Sequence, residues 1–261
     1  MAGFFDDLEV DDYLEGRIKY VDEWYFMLSV FTPDHARAWD VGTGNGVAAI
    51  GIAEYYEQVI ATDISEAELE QAVPHPKVTY IHTPLSMTDE ELISKLGGEG
   101  SIDLVTVAQA IHLFDLPRFY SLVNRLLKKP GGVIAVWGYN NIFGVGPPLE
   151  LAWKQFHETA LPYRHPHVRD ISDGLKTLPF PFEAVGIGAE GDPMPLLIPT
   201  RSSFEGFLGV LRSWTEVVAA KDQGVDLLSE EAVKELHSAW GTDLIQPIIY
   251  KTYMIAGEPR L

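Results

Sequence analysis

The sequence has 261 residues, which is enough for one α/β core with an insertion. Its formal net charge is −19, from 38 acidic and 19 basic residues, and a surface this acidic disfavours nucleic acid as a partner. Cysteine is absent, which excludes disulfides, thiolate nucleophiles and cysteine metal sites. No apolar run approaches the roughly 20 residues of a membrane span, and the acidic N-terminus lacks the basic region of a signal peptide. We therefore expect a cytoplasmic enzyme with no membrane partner.

Strand and helix signals alternate along the first half of the chain. Short apolar segments predict five buried strands, at 37–41, 58–63, 78–82, 102–108 and 133–137. Helices are predicted at 47–57, at 88–96 behind the capping box Thr88-Asp89-Glu90-Glu91, and after the cap residue Asp115. Strands that alternate with helices predict a parallel, doubly wound sheet, with ligands bound outside the carboxyl ends of its strands.

The pattern changes after residue 140. Two amphipathic helices are predicted from apolar stripes, one of Leu149, Trp153, Phe156 and Ala160, the other of Phe204, Phe207, Leu208, Leu211 and Trp214. Further strands are predicted at 182–187 and 247–255. We interpret the two helices as a cap over the cleft. The predicted organisation is one structural domain, with a helical lid segment at 1–35, a cofactor-binding core at 36–140, and cap segments plus the last strands at 141–261.

The stretch AWDVGTGNGVAAI carries three glycines directly behind the first predicted strand. A glycine-rich turn between strand and helix lets backbone amides approach a ligand closely. The glycines are Gly42, Gly44 and Gly46, so the third stands one place earlier than in the dinucleotide fingerprint G-x-G-x-x-G. Asp40 would repel a pyrophosphate but would attract an ammonium group. This pattern favours the amino-acid tail of S-adenosylmethionine.

A second acid supports a nucleoside ligand. Asp63 ends the second predicted strand, where a carboxylate can accept hydrogen bonds from both hydroxyls of a ribose. The alternative is purely structural, with glycines that serve packing and Asp63 as a helix cap. The order strand, glycine loop, helix, strand and acid favours the cofactor site.

These motifs resemble those of a known family. DVGTGNG followed by ATDIS is similar to the class I S-adenosylmethionine-dependent methyltransferases, and VIATDIS, VAQAIHLFD and YLEGRIKY resemble the group related to trans-aconitate methyltransferase and plant embryo-abundant proteins. The resemblance implies a Rossmann-like, mostly parallel sheet of seven strands with a helical cap after the fifth. It also implies S-adenosylmethionine as cofactor and a small-molecule methyl acceptor as partner.

The resemblance also implies roles for matching residues. The methionine moiety would be surrounded by Asp40, Gly42, Thr43, Gly44 and Gly46. Asp63 would bind the ribose, and Ile64 would pack on the adenine, whose edge would meet Thr83, Pro84, Leu85 and Ser86. Gln109, Ala110 and His112 would lie under the sulfonium. In this group an N-terminal Y-x-x-x-R-P-x-Y-P segment folds over the cofactor. Tyr13, Arg17 and Tyr20 fit that segment, whereas Ile18 and Val21 replace both prolines.

His112 is the candidate catalytic residue. A histidine just past a buried strand could act as a general base, hydrogen-bond a carboxylate or satisfy the backbone. Asp115 is interpreted as a helix cap rather than as its catalytic partner. Tyr139 and Asn140 follow the fifth strand and are predicted to line the acceptor pocket. No spacing of histidines and acids indicates a metal site.

Basic residues after position 160 could recognise an acidic substrate. Arg164, His165, His167 and Arg169 could form a cationic patch or a solvated loop, and we favour the loop. Arg201, Arg212 and Trp214 belong to the second cap segment, and an arginine fork suits a carboxylate. Arg212 and Trp214 are therefore predicted to contact substrate, although a tryptophan in a helical stripe is as often a core residue.

Three functions follow from these observations. The first is a small-molecule methyltransferase that forms an ester from a carboxylic acid. The second is an NAD-dependent oxidoreductase, which Asp63 would suit but the glycine spacing and Asp40 oppose. The third is a protein that binds the cofactor without catalysis.

Overall fold

The computed structural model describes residues 18–143, 146–164, 171 and 173–260. Its described residues form two compact units. The core unit comprises 20–139, 171, 173–196 and 253–260, and the second unit comprises 18–19, 140–143, 146–164 and 197–252.

The sheet has the predicted Rossmann-like topology. Its strands are β1 (Arg37–Val41), β2 (Gln58–Asp63), β3 (Val78–His82), β4 (Leu104–Ala108), β5 (Val133–Phe143), β6 (Glu183–Ala184), β7 (Met194–Ser203) and β8 (Ile245–Glu258). Seven follow the order β3-β2-β1-β4-β5-β8-β6, and β7 pairs with β8. The first five pair in parallel, and the order reverses between β1 and β4. A ligand is expected at that reversal, outside the carboxyl ends of the strands.

The helices lie between the strands and beyond them. They are α1 (Asp22–Val30), α2 (Val47–Ala53), α3 (Glu66–Glu70), α4 (Asp89–Leu96), α5 (Leu116–Leu126), α6 (Pro147–Ala160), α7 (Phe204–Arg212), α8 (Thr215–Asp222) and α9 (Glu230–Trp240). None of these described helices is long and apolar enough to span a bilayer.

Local capping chemistry sets several helix boundaries as predicted. The Thr88 side chain accepts the Glu91 backbone N–H while the Glu91 carboxylate accepts the Thr88 backbone N–H, which completes the capping box of α4. Asp115 Oδ1 accepts the Arg118 N–H and starts α5. The two strands β1 and β2 begin and end at the predicted residues, and so does β3.

Some element boundaries differ from the predictions. α2 ends at Ala53 rather than 57, because Tyr56 turns inward and its buried hydroxyl lies 2.6 Å from that of Thr32. The predicted strand at 182–187 keeps two residues, since Gly186 has a φ of +99° and leaves the pairing with β8. α3, β7, α8 and α9 were not predicted.

The core unit buries its side chains on both faces of the sheet. Trp39 and Trp137 are fully enclosed, and the α5 stripe of Phe119, Val123 and Leu126 packs against the same core. α1 packs on α2 where the Tyr25 ring lies against Gly51, and a Cβ at Gly51 would collide with that ring. Close packing between the two helices therefore requires glycine at position 51.

The second unit has an aromatic core of its own. The buried residues of α6 are the four of its predicted stripe, Leu149, Trp153, Phe156 and Ala160. The rings of Trp153 and Phe207 lie 5.8 Å apart, which joins α6 to α7. α7 ends at Arg212, so the prediction that Trp214 belongs to its helical stripe was wrong; Trp214 caps α8 in an extended conformation.

Candidate functional site

The glycine loop between β1 and α2 adopts a conformation that favours glycine at every second residue. Gly42, Gly44 and Gly46 have φ values of +64°, +56° and +90°. The Thr43 N–H donates to the Thr62 carbonyl at 3.0 Å and holds the loop against the end of β2. Backbone amides are thus presented at the carboxyl edge of the sheet.

Close approach adds a second reason for glycine in this loop. A Cβ on Gly42 would lie 2.6 Å from the Ala110 Cβ, beyond the end of β4. A Cβ on Gly46 would overlap the hydroxyl of Tyr80, on β3. The structure therefore places Gly42 against Ala110, both predicted cofactor residues, and Gly46 against Tyr80, which sequence reasoning did not single out.

Asp40 lies beneath the loop with no exposed surface. Its Oδ1 accepts the Thr106 hydroxyl at 2.6 Å and its Oδ2 accepts the Thr43 hydroxyl at 2.5 Å. Burial raises the pKa of Asp40 to about 6, against the lowering effect of these hydrogen bonds. The Asp40 carboxylate is therefore not exposed at the loop surface. The half-buried Thr43 side chain, which is hydrogen-bonded to it, lies between the carboxylate and that surface.

Asp63 joins the end of β2 to the glycine loop. Its Oδ2 accepts the Gly44 N–H at 2.7 Å, and its Oδ1 accepts the Ser65 N–H at 2.9 Å. The carbonyl of Asp63 accepts both the N–H and the hydroxyl of Thr83. The carboxylate is half-buried, and each oxygen retains a lone pair for a further donor.

Apolar side chains remain uncovered around this edge of the core unit. Ile64, Leu85 and Leu113 follow β2, β3 and β4, and they are 52%, 89% and 67% exposed. Pro84 is half-buried and Ser86 is exposed beside Leu85. Exposed aliphatic groups near an acid suit the flat face of a nucleobase.

The loop after β4 holds the predicted sulfonium-side residues. Gln109 has a φ of +61°, and its N–H donates to the Trp137 carbonyl at 2.9 Å. Ala110 is buried, and His112 lies half-buried in a 3-10 turn at Ile111–Leu113. Asp115 caps α5, which confirms the interpretation of that residue as a cap.

Two tyrosines lie in the core unit near the same strand ends. Tyr139 follows Trp137 on β5, and the Tyr20 ring meets the Trp137 ring edge-on at 5.4 Å. Burial raises the pKa of Tyr139 to about 12. The pKa of Tyr20 is also raised, first by burial and then by Tyr139. A tyrosine hydroxyl is protonated at neutral pH in any case, and burial strengthens that preference, so both hydroxyls can donate hydrogen bonds.

The second unit contains the other candidate acceptor residues. Asn140 is half-buried, while Arg212 is largely exposed and lies 3.7 Å from the Glu205 carboxylate. The half-buried Trp214 ring packs edge-on against Trp153 at 4.8 Å. Tyr13 and Arg17 lie outside the described residues, as do His165, His167 and Arg169.

Arg164 does not lie in a solvated loop. Its Nε donates to Glu216 at 3.0 Å, and its Nη2 lies 2.8 Å from His157 Nε2. Burial and the charge of Arg164 lower the pKa of His157. No sequence pattern indicates this pairing, because Glu216 is 52 residues away from Arg164 along the chain.

The parallel sheet, the glycine loop and the acid after β2 define a nucleoside-binding α/β protein of the Rossmann-like class. The profile of the Methyltransferase domain family matches residues 39–136, which cover the strands and loops just described. A Dictyostelium discoideum protein that is provisionally described as a methyltransferase is 28% identical, over 94% of this chain and 91% of its own length.

Other relatives agree with this match. A structure from Anaeromyxobacter dehalogenans, provisionally described as a type II methyltransferase, is 32% identical and covers 94% of this chain and 99% of its own, with a TM-score of 0.75. A methyltransferase of Aspergillus candidus is 34% identical over 52% of this chain and 44% of its own length. The chain belongs to the class I S-adenosylmethionine-dependent methyltransferases, and its cofactor is S-adenosylmethionine.

The residues at the site fit this cofactor. The loop has no room for side chains at Gly42 and Gly46, so its backbone can approach the amino-acid tail. The remaining lone pairs of Asp63 suit the ribose hydroxyls, and the exposed faces of Ile64 and Leu85 suit adenine. No cluster of three or more metal-ligating side chains occurs among the residues that the structure describes.

Proposed function

We propose that this protein methylates a carboxylate oxygen of a small organic acid and so forms a methyl ester. The observation that carries the proposal is the pair of tyrosines in the core unit, Tyr20 against the Trp137 ring and Tyr139 two residues further along β5. Neutral hydroxyls donate hydrogen bonds to a carboxylate but cannot remove a proton from an alcohol or an amine. A carboxylate acceptor needs no such base.

Catalysis by this chain would rest on positioning. S-adenosylmethionine, when bound, supplies a methyl group already activated by a sulfonium charge. The glycine loop and Asp63 would hold the two ends of the cofactor, while Tyr20 and Tyr139 would orient the acceptor carboxylate. Placing the two reactants in line accounts for most of the acceleration in a reaction of this kind.

His112 has two roles open in this proposal. It could donate a hydrogen bond to the acceptor carboxylate, as expected for an ester-forming enzyme. It could instead remove a proton from a hydroxyl acceptor. The response of an His112→Gln variant separates them, since glutamine keeps a donor and loses the base.

The basic residues of the second unit give this proposal little support. Arg164 is already neutralised by Glu216, and Arg212 pairs with Glu205 at the surface. Acid recognition is therefore assigned first to the tyrosines. Roles for Asn140, Arg212 and Trp214 in substrate binding remain predictions, as does a cap over the cleft. The narrower resemblance to the trans-aconitate methyltransferase group supports a carboxylic acid as acceptor.

The test is incubation with radiolabelled S-adenosylmethionine and panels of organic acids, phenols and amines. We expect base-labile methyl esters from the acids, and a Tyr139→Phe variant that is about tenfold slower with its cofactor affinity retained. Tyr55→Phe, a change at the end of α2, is the matched control. Transfer to amines or phenols alone would refute ester formation. Cofactor binding without any transfer would favour the non-catalytic alternative, whereas the family leaves no support for the NAD-dependent one.

A further inference from the structure

His82, the last residue of β3, bridges two hydrogen-bond acceptors. Its Nε2 lies 3.0 Å from the Ile64 carbonyl, and its Nδ1 lies 3.0 Å from the Glu66 carboxylate. Carbonyl and carboxylate oxygens only accept hydrogen bonds, and a neutral imidazole carries one N–H. Only the imidazolium form can donate to the Ile64 carbonyl and also form an ion pair with Glu66.

His82 contacts the segment between β2 and α3, which carries the residues expected to bind the nucleoside. Asp63 and Ile64 stand at its start, and Ser65 caps α3 by accepting the Glu68 N–H. Asp63 is fixed from the loop side by Gly44 and Ser65, and from β3 by Thr83. The backbone of Ile64 itself is held by His82.

We propose that His82, in its imidazolium form, is a positioning residue for the nucleoside end of the cofactor. Its hydrogen bond to the Ile64 carbonyl and its ion pair with Glu66 set the backbone of Ile64, so that the exposed Ile64 side chain is positioned for the adenine face. The inference rests on the proposed placement of the cofactor, with Ile64 against adenine, and is independent of the acceptor.

Acidic residues lie on two elements next to His82. Asp63 is its register partner on β2, and Glu66 on α3 contacts it directly. α2, which also packs on β3, has no titratable side chain, and Tyr80 is the nearest titratable residue on the same face of β3. The Glu66 contact is an ion pair only while the imidazole carries both protons, so the bridge exists in the acidic form of the side chain and is absent in the neutral form.

The probe for this bridge is 5′-methylthioadenosine, which has the nucleoside but no amino-acid tail. Its binding is insensitive to an ammonium contact at the glycine loop, and it has no group that titrates near neutrality. We expect calorimetry to show binding roughly threefold tighter at about pH 5.5 than at about pH 8.5, the size expected for one partly exposed charge-assisted contact.

Two variants test the bridge, with a matched control. Glu66→Gln and His82→Gln should each bring the affinity ratio between the two pH values close to one, while Glu70→Gln, which removes the same charge from the same helix, should leave it at roughly three. Circular dichroism confirms that each variant is folded. A ratio near one in the unaltered protein, or a ratio that persists in both variants, overturns the proposal.

A separate variant distinguishes failure of His82 from failure of the site. Ile64→Ser should weaken binding of 5′-methylthioadenosine at both pH values if adenine lies on that side chain. Unchanged binding in Ile64→Ser overturns the placement of the nucleoside and with it the role of His82. If Ile64→Ser weakens binding but the affinity of the unaltered protein does not change with pH, the role of His82 alone is overturned.

Discussion

The Asp63 carboxylate accepts a hydrogen bond from the backbone amide of Gly44 at 2.7 Å. This contact fastens the glycine loop to the end of β2, so the residues expected to hold the two ends of the cofactor are physically joined. A change at Asp63 should therefore affect both the ribose contact and the loop.

Replacing Asp63 by alanine should weaken S-adenosylhomocysteine binding by roughly 10- to 100-fold, because charge-assisted hydrogen bonds are worth about 1.5–3 kcal/mol. Isothermal titration calorimetry measures the change. Asp222→Asn, an exposed acid at the end of α8, serves as the control and should bind normally. Equal affinity in both variants would remove Asp63 from the site.

Gly46→Ala should destabilise the protein by about 2–4 kcal/mol and abolish tight cofactor binding. The residue has a φ of +90°, and a Cβ there would overlap the Tyr80 hydroxyl. Gly98→Ala is the matched control, since Gly98 has a φ of +99° with open space around its Cβ position. It should show only the cost of backbone strain, about 1 kcal/mol in urea unfolding, with cofactor binding unchanged. Similar behaviour of the two variants would contradict a role for close packing at Gly46.

Asp40 should make the stability of the ligand-free protein depend on pH. Its pKa is raised from 3.8 to about 6, so the folded state retains the proton that the unfolded state releases. Its contribution is most favourable below about pH 4 and is lost as the pH rises to about 6. Asp40→Asn, whose amide can pair with the two threonine hydroxyls, should gain about 1–3 kcal/mol at pH 7.5.

The same substitution should weaken binding of S-adenosylhomocysteine, because the negative charge behind Thr43 is lost. Chemical denaturation at about pH 4 and pH 7.5, with calorimetry at the higher value, measures both effects. A variant that is less stable than the unaltered protein at pH 7.5 would show that the Asp40 carboxylate is not disfavoured by burial.

Glu216→Gln should destabilise the second unit by about 3 kcal/mol, because it leaves the Arg164 charge buried without its partner. The two side chains are 19% and 10% exposed. The double variant Arg164→Met, Glu216→Leu should recover most of the loss. Glu205→Gln breaks the exposed pair with Arg212 and should change the free energy of unfolding by less than about 0.5 kcal/mol. Thermal unfolding of the four proteins compares them directly.

The sequence by itself determined the parallel core and its loops. Strand boundaries at 37–41, 58–63 and 78–82 follow from short apolar runs, and the starts of α4 and α5 follow from capping side chains. The glycine spacing and the acid after β2 indicated the cofactor. These features are local, since each depends on residues that are close together in the sequence. Local patterns of this kind are visible before the chain is folded.

The tertiary structure decided what depends on residues far apart in the chain. Asp40 accepts a hydrogen bond from Thr106 on another strand, and Arg164 is neutralised by Glu216. Trp214 lies between two helices and packs on Trp153. The acids and bases involved look alike in sequence whether they face water or a partner. Burial and pairing, which fix their charges, arise only when the chain is folded.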